Sequence, residues 1–262
     1  LKEKGSFDSA AEEYDAVFTN SHIGKLQRKR VYHWLDRLGL FNGSKKIFEI
    51  NCGTGFDADY FSQNGHEIVA TDASEEMIQV AIRSRSNKIK FYKLSFDHLT
   101  TDDNFKQSNV LFSNFGGLNC MDSNRLSHLL NDIGKVQNSG DHLVFVLMPK
   151  YCLMEDLYFF FRFQWNKIGR RNSNKALEVN VNESIVDTYY HSPYTLKNGL
   201  KDIYDVLLIK PSSIFLPPSY MEPFFKRRLI ILSFLNRLES FFGRFSSLSA
   251  YADHYVLIAK RK

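Results

Sequence analysis

Ile47-Phe48-Glu49-Ile50-Asn51-Cys52-Gly53-Thr54-Gly55-Phe56-Asp57-Ala58 passes from an apolar run through two closely spaced glycines into a helix-like pattern. It reads as a strand that enters a tight turn and opens a helix. Glycines at such a turn let the backbone approach a ligand where a Cβ would clash, and the helix N-terminus offers unpaired N–H groups. Nineteen positions after Gly53 stands Asp72, at the end of the next apolar run. A carboxylate there can accept both ribose hydroxyls of a nucleoside. The spacing Gly53-x-Gly55-x-x-Ala58 with Asp72 also fits a dinucleotide fingerprint, so the glycines alone leave the cofactor open.

Outward from this stretch, short apolar runs recur at Glu67–Thr71, Ile89–Leu94, Asn109–Ser113 and His142–Met148. Helical patterns fall at 56–64, 74–86 and 122–137. Strands alternating with helices predict a doubly wound α/β fold, a mostly parallel sheet with right-handed crossovers and helices on both faces. Upstream, a short helix is expected over Phe7–Phe18 and a longer one over Ile23–Leu40. Downstream come an aromatic-rich helix at Tyr151–Ile168 and a hairpin of Leu177–Val181 and Ser184–Tyr190 turning at Asn182-Glu183. A helix at Tyr194–Lys201, a strand at Val206–Lys210, a long helix at Glu222–Phe245 and a last strand at Tyr255–Lys260 complete the pattern. The expectation is one domain over 1–262: a helical cap at 1–40, a cofactor-binding core at 41–148, and inserts at 149–192 and 214–250 covering one end of the sheet.

The chain has 262 residues, and its apolar share of 44% and charged share of 24% exclude disordered and fibrous classes. Aromatics reach 15%, with 23 Phe and 13 Tyr, more than an ordinary core needs, which points to an aromatic-lined pocket. The longest apolar runs, such as Leu229–Leu232, are far short of the roughly 20 residues of a membrane span. Three scattered cysteines without metal-ligand spacing, and no apolar leader behind Lys2-Glu3-Lys4, predict a reduced, cytoplasmic protein without a metal site. Residues 151–262 carry 16 Lys+Arg against 10 Asp+Glu, a net +6, while residues 1–150 carry 18 against 19. The basic half could attract an anionic partner.

Charge narrows the choice of cofactor. A pyrophosphate over the glycine turn would lie beside Glu49 and Asp57. At ~5 Å and an effective dielectric of ~20, each unit pair would repel by about 3 kcal/mol. An ammonium and a sulfonium would be welcome there instead.

At this point the run Glu49–Ala58, followed by Thr71-Asp72-Ala73-Ser74 and Met77, resembles the first two motifs of class I S-adenosylmethionine-dependent methyltransferases. The resemblance covers about residues 30–150. It implies a seven-stranded sheet whose last strand is antiparallel, with Val206–Lys210 and Tyr255–Lys260 as the final pair. The opening Phe7-Asp8, Tyr14-Asp15 and Phe18 is similar to the cap helix of small-molecule members. The resemblance further implies that Gly53 and Gly55 flank the methionine part and that Glu49 anchors the loop or the ammonium. Asp72 would hold the ribose, Ala73 and Met77 would pack on adenine, and Tyr14 would cover the methionine end. Asn51 and Asn114, in the turns after the first and fourth strands, join the cofactor set. Where the family often places an acid for the adenine amino group this chain has Ser95, so Ser95, Phe96 or Asp97 serves. The Asn/Asp-Pro-Pro-aromatic run of adenine-methylating enzymes is absent from Ser113–Asn119, which argues against DNA as substrate.

The expected reaction is transfer of a methyl group to O or N of a small or medium-sized, partly apolar metabolite, leaving S-adenosylhomocysteine. Methyl transfer leaves few mandatory residues, because the leaving group arrives activated. A general base for a hydroxyl would by default be a histidine, with His191 and His254 the leading candidates. Substrate walls are expected from Phe115, Asn119, Tyr151, Tyr190 and Tyr220. Phe224, Ile231, Leu235, Leu238, Phe242 and Phe245 share one face of the last long helix, as domain packing or as a lid over a lipid-like acceptor at a membrane surface. Two other readings stand beside this one: a non-catalytic protein that binds the same cofactor, and a nicotinamide-dependent oxidoreductase.

Overall fold

The structure, a computed structural model, describes residues 11–181 and 184–262. Chain order begins with α1 (Ala11–Tyr14), which runs into a π-helical turn (Asp15–Thr19), and α2 (His22–Arg37). The first ten residues of the expected cap, Phe7 and Asp8 among them, lie outside the described residues. Then come β1 (Lys46–Glu49), α3 (Phe56–Gln63), β2 (Glu67–Asp72), α4 (Glu75–Ser84), β3 (Lys90–Lys93), α5 (Asp103–Lys106) and β4 (Val110–Ser113). The core closes with α6 (Ser123–Val136) and β5 (His142–Leu147). After it follow α7 (Leu153–Phe161), the hairpin β6 (Leu177–Val181) and β7 (Ser184–Thr188), α8 (Pro193–Leu200) and β8 (Tyr204–Ser212). The last elements are α9 (Glu222–Phe225), α10 (Leu229–Phe242) and β9 (His254–Arg261).

Seven strands form one sheet in the order β3-β2-β1-β4-β5-β9-β8. The first five are parallel, and β9 pairs antiparallel with β5 and with β8. Strand periodicity explains why helices are needed on both faces. In β5, Leu143, Phe145 and Leu147 join one apolar cluster with Leu126, Leu130 and Ile133 of α6. Val144 and Val146 point the other way, to Val31 and Leu35 of α2 and Phe61 of α3. The helix starts are written locally. Ser21 accepts from Gly24 N at 2.9 Å, and Ser74 accepts from Met77 N at 3.1 Å ahead of Glu75 and Glu76.

The two inserts depart from their sequence pattern. The helix expected over Tyr151–Ile168 stops at Phe161, and Phe163 takes a left-handed backbone (φ 54°). The helix expected over Glu222–Phe245 is broken at Lys226-Arg227-Arg228, with Arg228 outside helical geometry. Consecutive cations next to the N-terminus of α10 oppose its dipole. The expected face packs only in part: Leu235 meets the cluster of Ile23 and Leu216, and Leu238 and Phe242 are half-buried. Leu232 and Glu239 are buried, whereas Phe224, Ile231 and Phe245 are exposed. Buried Glu239 accepts from the backbone N–H of Ser213 (2.9 Å) and Phe215 (2.8 Å), tying α10 to the segment after β8.

Candidate functional site

At the carboxyl ends of β1, β2 and β4 lies a cavity of about 170 Å³, at the switch point where open α/β sheets bind ligands. Its wall includes Tyr14, Asn51, Gly53, Asp72, Ala73, Met77, Ser95, Phe96, Asn114 and Phe115, ten of the residues singled out from sequence. Gly53 is left-handed (φ 54°), and its N–H donates to Asp72 Oδ2 at 2.8 Å. The second Asp72 oxygen accepts from Ser74 N at 2.9 Å, so one carboxylate joins the glycine turn to the start of α4. Asn51 (φ 49°) is held by Ser113 Oγ, which donates to its Oδ1 at 2.7 Å, and donates in turn to Asn114 O at 3.0 Å.

Three expected cofactor residues stand elsewhere. Gly55 (φ 73°) is off the cavity wall; a Cβ there would sit 2.7 Å from the Phe91 ring, so this glycine serves close packing and the entry to α3. Glu49 is buried beneath the turn and off the wall, with no hydrogen bond to its Oε2 among the described residues. Burial, and then the charge of Asp57, push its carboxyl well above the ordinary glutamate value. Asp97 is exposed and pairs with Arg125 at 2.9 Å, so of the three alternatives only Ser95 and Phe96 face the cavity.

Sequence reasoning missed Arg28. It projects from α2 into the cavity wall, 6% exposed, and its Nε donates to Asp57 Oδ1 at 2.9 Å. Its Nη1 is buried without a partner among the described residues, and its guanidinium lies 4.6 Å from the Phe56 ring centre and 5.0 Å from that of Phe115. No short-range motif marks it, because it stands 29 residues from Asp57. It also amends the charge argument. Asp57 is compensated by Arg28 and Glu49 is driven toward its neutral form, so the local field is less negative than the sequence implied.

The cap is clamped to the glycine turn. Asp15, at the start of the π turn, accepts from Thr54 Oγ1 at 2.6 Å and pairs with Arg85, whose Nε donates to Thr54 O at 2.9 Å. This sets the Tyr14 ring beside Gly53. Burial, and the acids Asp57, Asp72 and Asp15 against the opposing Arg28, push the Tyr14 phenol up to about 12, so it stays a neutral hydroxyl.

A second cavity of about 290 Å³ adjoins the first, and Tyr14, Phe115 and Cys120 line both. Val17, Phe18, Met148, Val179 and Val186 give it an apolar wall, and Tyr190, Tyr220 and His254 stand at a polar end. That end is built on buried charges. Glu155 accepts from Arg170 (2.9 Å), Arg171 (3.0 Å) and Tyr220 Oη (3.0 Å), and Arg171 reaches Asp253 at 2.8 Å. His254 Nδ1 lies 3.1 Å from the Asp253 carboxylate, at ion-pair distance although out of line for a full hydrogen bond. Burial raises Asp253, but His254 and Arg171 outweigh it and hold the carboxyl well below its ordinary value.

Three further expected site residues stand off both cavities. His191 is buried off both cavities, with Ser123 Oγ 3.5 Å from its Nδ1, and burial lowers its basicity. Asn119 is wholly buried and clasps the backbone: its Nδ2 donates to Tyr189 O (2.6 Å) and Met148 O (3.2 Å). Tyr151 is exposed against Tyr251, away from both cavities. Each was a plausible polar or aromatic residue near a strand end, and each is taken up by loop packing.

A family described as a methyltransferase domain matches residues 47–140. Glycine N-methyltransferase of Mus musculus is 30% identical over 102 residues, which is 38% of this chain and 34% of that protein. The chain thus spans about a third of that relative's length. A Listeria monocytogenes protein assigned as an S-adenosylmethionine dependent methyltransferase superposes with a TM-score of 0.61 at 14% identity, covering 91% of this chain and 99% of that one. Magnesium protoporphyrin IX methyltransferase from Synechocystis PCC 6803, solved with bound S-adenosylhomocysteine, gives 0.56 at 13% identity, covering 98% of this chain and 94% of that one. Residues 47–140 thus match a methyltransferase domain, and the chain as a whole shares its fold with these solved methyltransferases.

Proposed function

We propose that this chain is an S-adenosylmethionine-dependent methyltransferase acting on O or N of a small or medium-sized, partly apolar metabolite. The residues of the first cavity fit the cofactor. Asp72 meets the ribose hydroxyls, and Ala73, Met77 and Phe96 make an apolar slot for the base. Arg28 pairs with Asp57 through Nε, and its Nη1, without a hydrogen-bond partner among the described residues, is the donor that the methionine carboxylate would take up. S-adenosylmethionine, when bound, supplies a methyl group on a sulfonium already activated for in-line displacement. Tyr14, Phe18 and Phe115 exclude water from the junction of the two cavities, their rings 5.5 and 5.1 Å apart in sequence. The second cavity takes the acceptor. His254 accepts the proton that a hydroxyl or protonated amine must lose, and Asp253 stabilises the imidazolium so formed.

The observation that supports this reading over a non-catalytic binder is the shared wall of Tyr14, Phe115 and Cys120, which sets a second, larger cavity directly beside the nucleoside site. Calorimetry tests it. S-adenosylhomocysteine is expected to bind, and Asp72→Ala to weaken binding by about 1–3 kcal/mol through loss of ribose hydrogen bonds. Tight NADH binding with no response to S-adenosylhomocysteine would overturn it.

A further inference from the structure

α10 is apolar on both sides. Leu232 and Leu235 pack inward on the cluster of Ile23, Leu216, Met221 and Phe225. Ile230 (88% exposed), Phe234 (58%) and Phe241 (53%) recur at steps of four and seven on the opposite, outer side. A helix on a water-facing surface carries polar residues there instead. The end of α7 repeats the feature: Phe161, Phe163 and Trp165 are 72%, 82% and 64% exposed. Both inserts meet on one cluster, since Tyr158 of α7 packs against the same residues as α10.

The charges around this surface have one sign. Between 222 and 245 the five bases Lys226, Arg227, Arg228, Arg237 and Arg244 are all exposed. The two acids of that stretch are occupied: Glu239 is buried, and Glu222 accepts from the backbone N–H of His22 and Ile23. Arg162 and Lys167 lie exposed among the α7 aromatics. Several cations sit over rings, Arg228 at 4.0 Å from Phe224 and Arg244 at 5.1 Å from Phe241. Aromatic side chains interleaved with cations match an interface that is apolar below and anionic above. A second copy of the chain would bring like charges together. Among the described residues no helix is long and apolar enough to cross a membrane, so the match is to a surface.

We propose that α7, α9 and α10 dock on an anionic phospholipid bilayer, with the outer apolar side of α10 and the Phe161–Trp165 turn entering the headgroup layer. This docking stands on the surface alone and does not rest on the methyl-transfer reading. If both hold, Tyr220, which lines the acceptor cavity and is half exposed beside Tyr158, borders the route by which an acceptor dissolved in the bilayer enters.

Cosedimentation of the full chain with vesicles of phosphatidylglycerol and phosphatidylcholine, against phosphatidylcholine alone, tests the proposal. The chain is expected to pellet with the anionic vesicles, and Trp165 emission to move to the blue, a shift that Trp165→Phe removes. The triple variant Arg227→Ala, Arg228→Ala, Arg237→Ala is expected to lower partition roughly fivefold per charge removed. Ile230→Ser with Phe234→Ser is expected to lower it further at high salt, where charge is screened. Unchanged thermal melting and circular dichroism show that these exposed substitutions leave the fold intact. No pelleting and no Trp165 shift, or full retention by both variants, would overturn the proposal. So would a concentration-dependent dimer that shields Trp165 without lipid, or an acidic protein that holds this face while vesicles do not.

Discussion

Replacing Arg28 by Met separates two jobs that this side chain performs. Its Nε neutralises buried Asp57 at 2.9 Å, and its Nη1 is buried without a partner among the described residues, on a side chain that lines the first cavity. If Nη1 takes the cofactor carboxylate, its loss removes a charge-assisted hydrogen bond of about 1.5–3 kcal/mol, a roughly 10- to 150-fold weaker Kd. Met keeps most of the aliphatic stem against Phe56 and Phe115. The same change strips Asp57 of its cation, which for a buried pair approaches about 3–5 kcal/mol of stability. Tyr32 Oη and Asn114 Nδ2 still donate to Asp57, so the lower end is expected. Pairing Arg28→Met with Asp57→Asn restores stability without restoring affinity. The assay is calorimetry with S-adenosylhomocysteine beside methylthioadenosine, which has the nucleoside and thioether but no carboxylate. Affinity should fall for the first and hold for the second. An equal fall for both would show that Arg28 only shapes the cavity, and no fall for either would remove it from the site.

Glu49→Gln should stabilise the chain increasingly as pH rises. The folded carboxyl is raised above its ordinary 4.5, so its contribution is intact below that value and is lost as pH climbs toward the folded value. The advantage of the variant should grow by about 1.4 kcal/mol per pH unit in that window, read by urea unfolding at several pH values. A difference independent of pH would refute the assignment. Arg171→Met should destabilise by about 3–5 kcal/mol in the same assay, because Glu155 and Asp253 would stay buried without their shared cation. Although burial opposes it, Arg170 and Arg171 hold Glu155 below its ordinary value. This stabilisation is therefore present above the ordinary glutamate value and fades as pH falls through the folded one, so the gap between variant and parent should narrow in acid. A loss below about 1 kcal/mol would mean that Arg170 suffices.

The core was legible because its signals are local. The apolar runs of β1 to β5, the turn at Gly53 and Asp72 at the end of β2 each follow from neighbours within a few residues. The antiparallel β9 came from the resemblance and is borne out by the sheet order. What could not be read depends on partners far along the chain. Arg28 finds Asp57 across 29 residues, and Asn119 finds Tyr189 across 70. Aromatic-rich inserts mislead in another way. Their periodicity marks a helix, yet it cannot say which side meets the core when both sides are apolar, as in α10.

The clamp of Asp15 on Thr54 and Arg85 has a kinetic corollary. If the proposed reaction holds, a cap fastened to the glycine turn slows the escape of spent cofactor, and loosening it by Asp15→Ala is expected to speed release of S-adenosylhomocysteine.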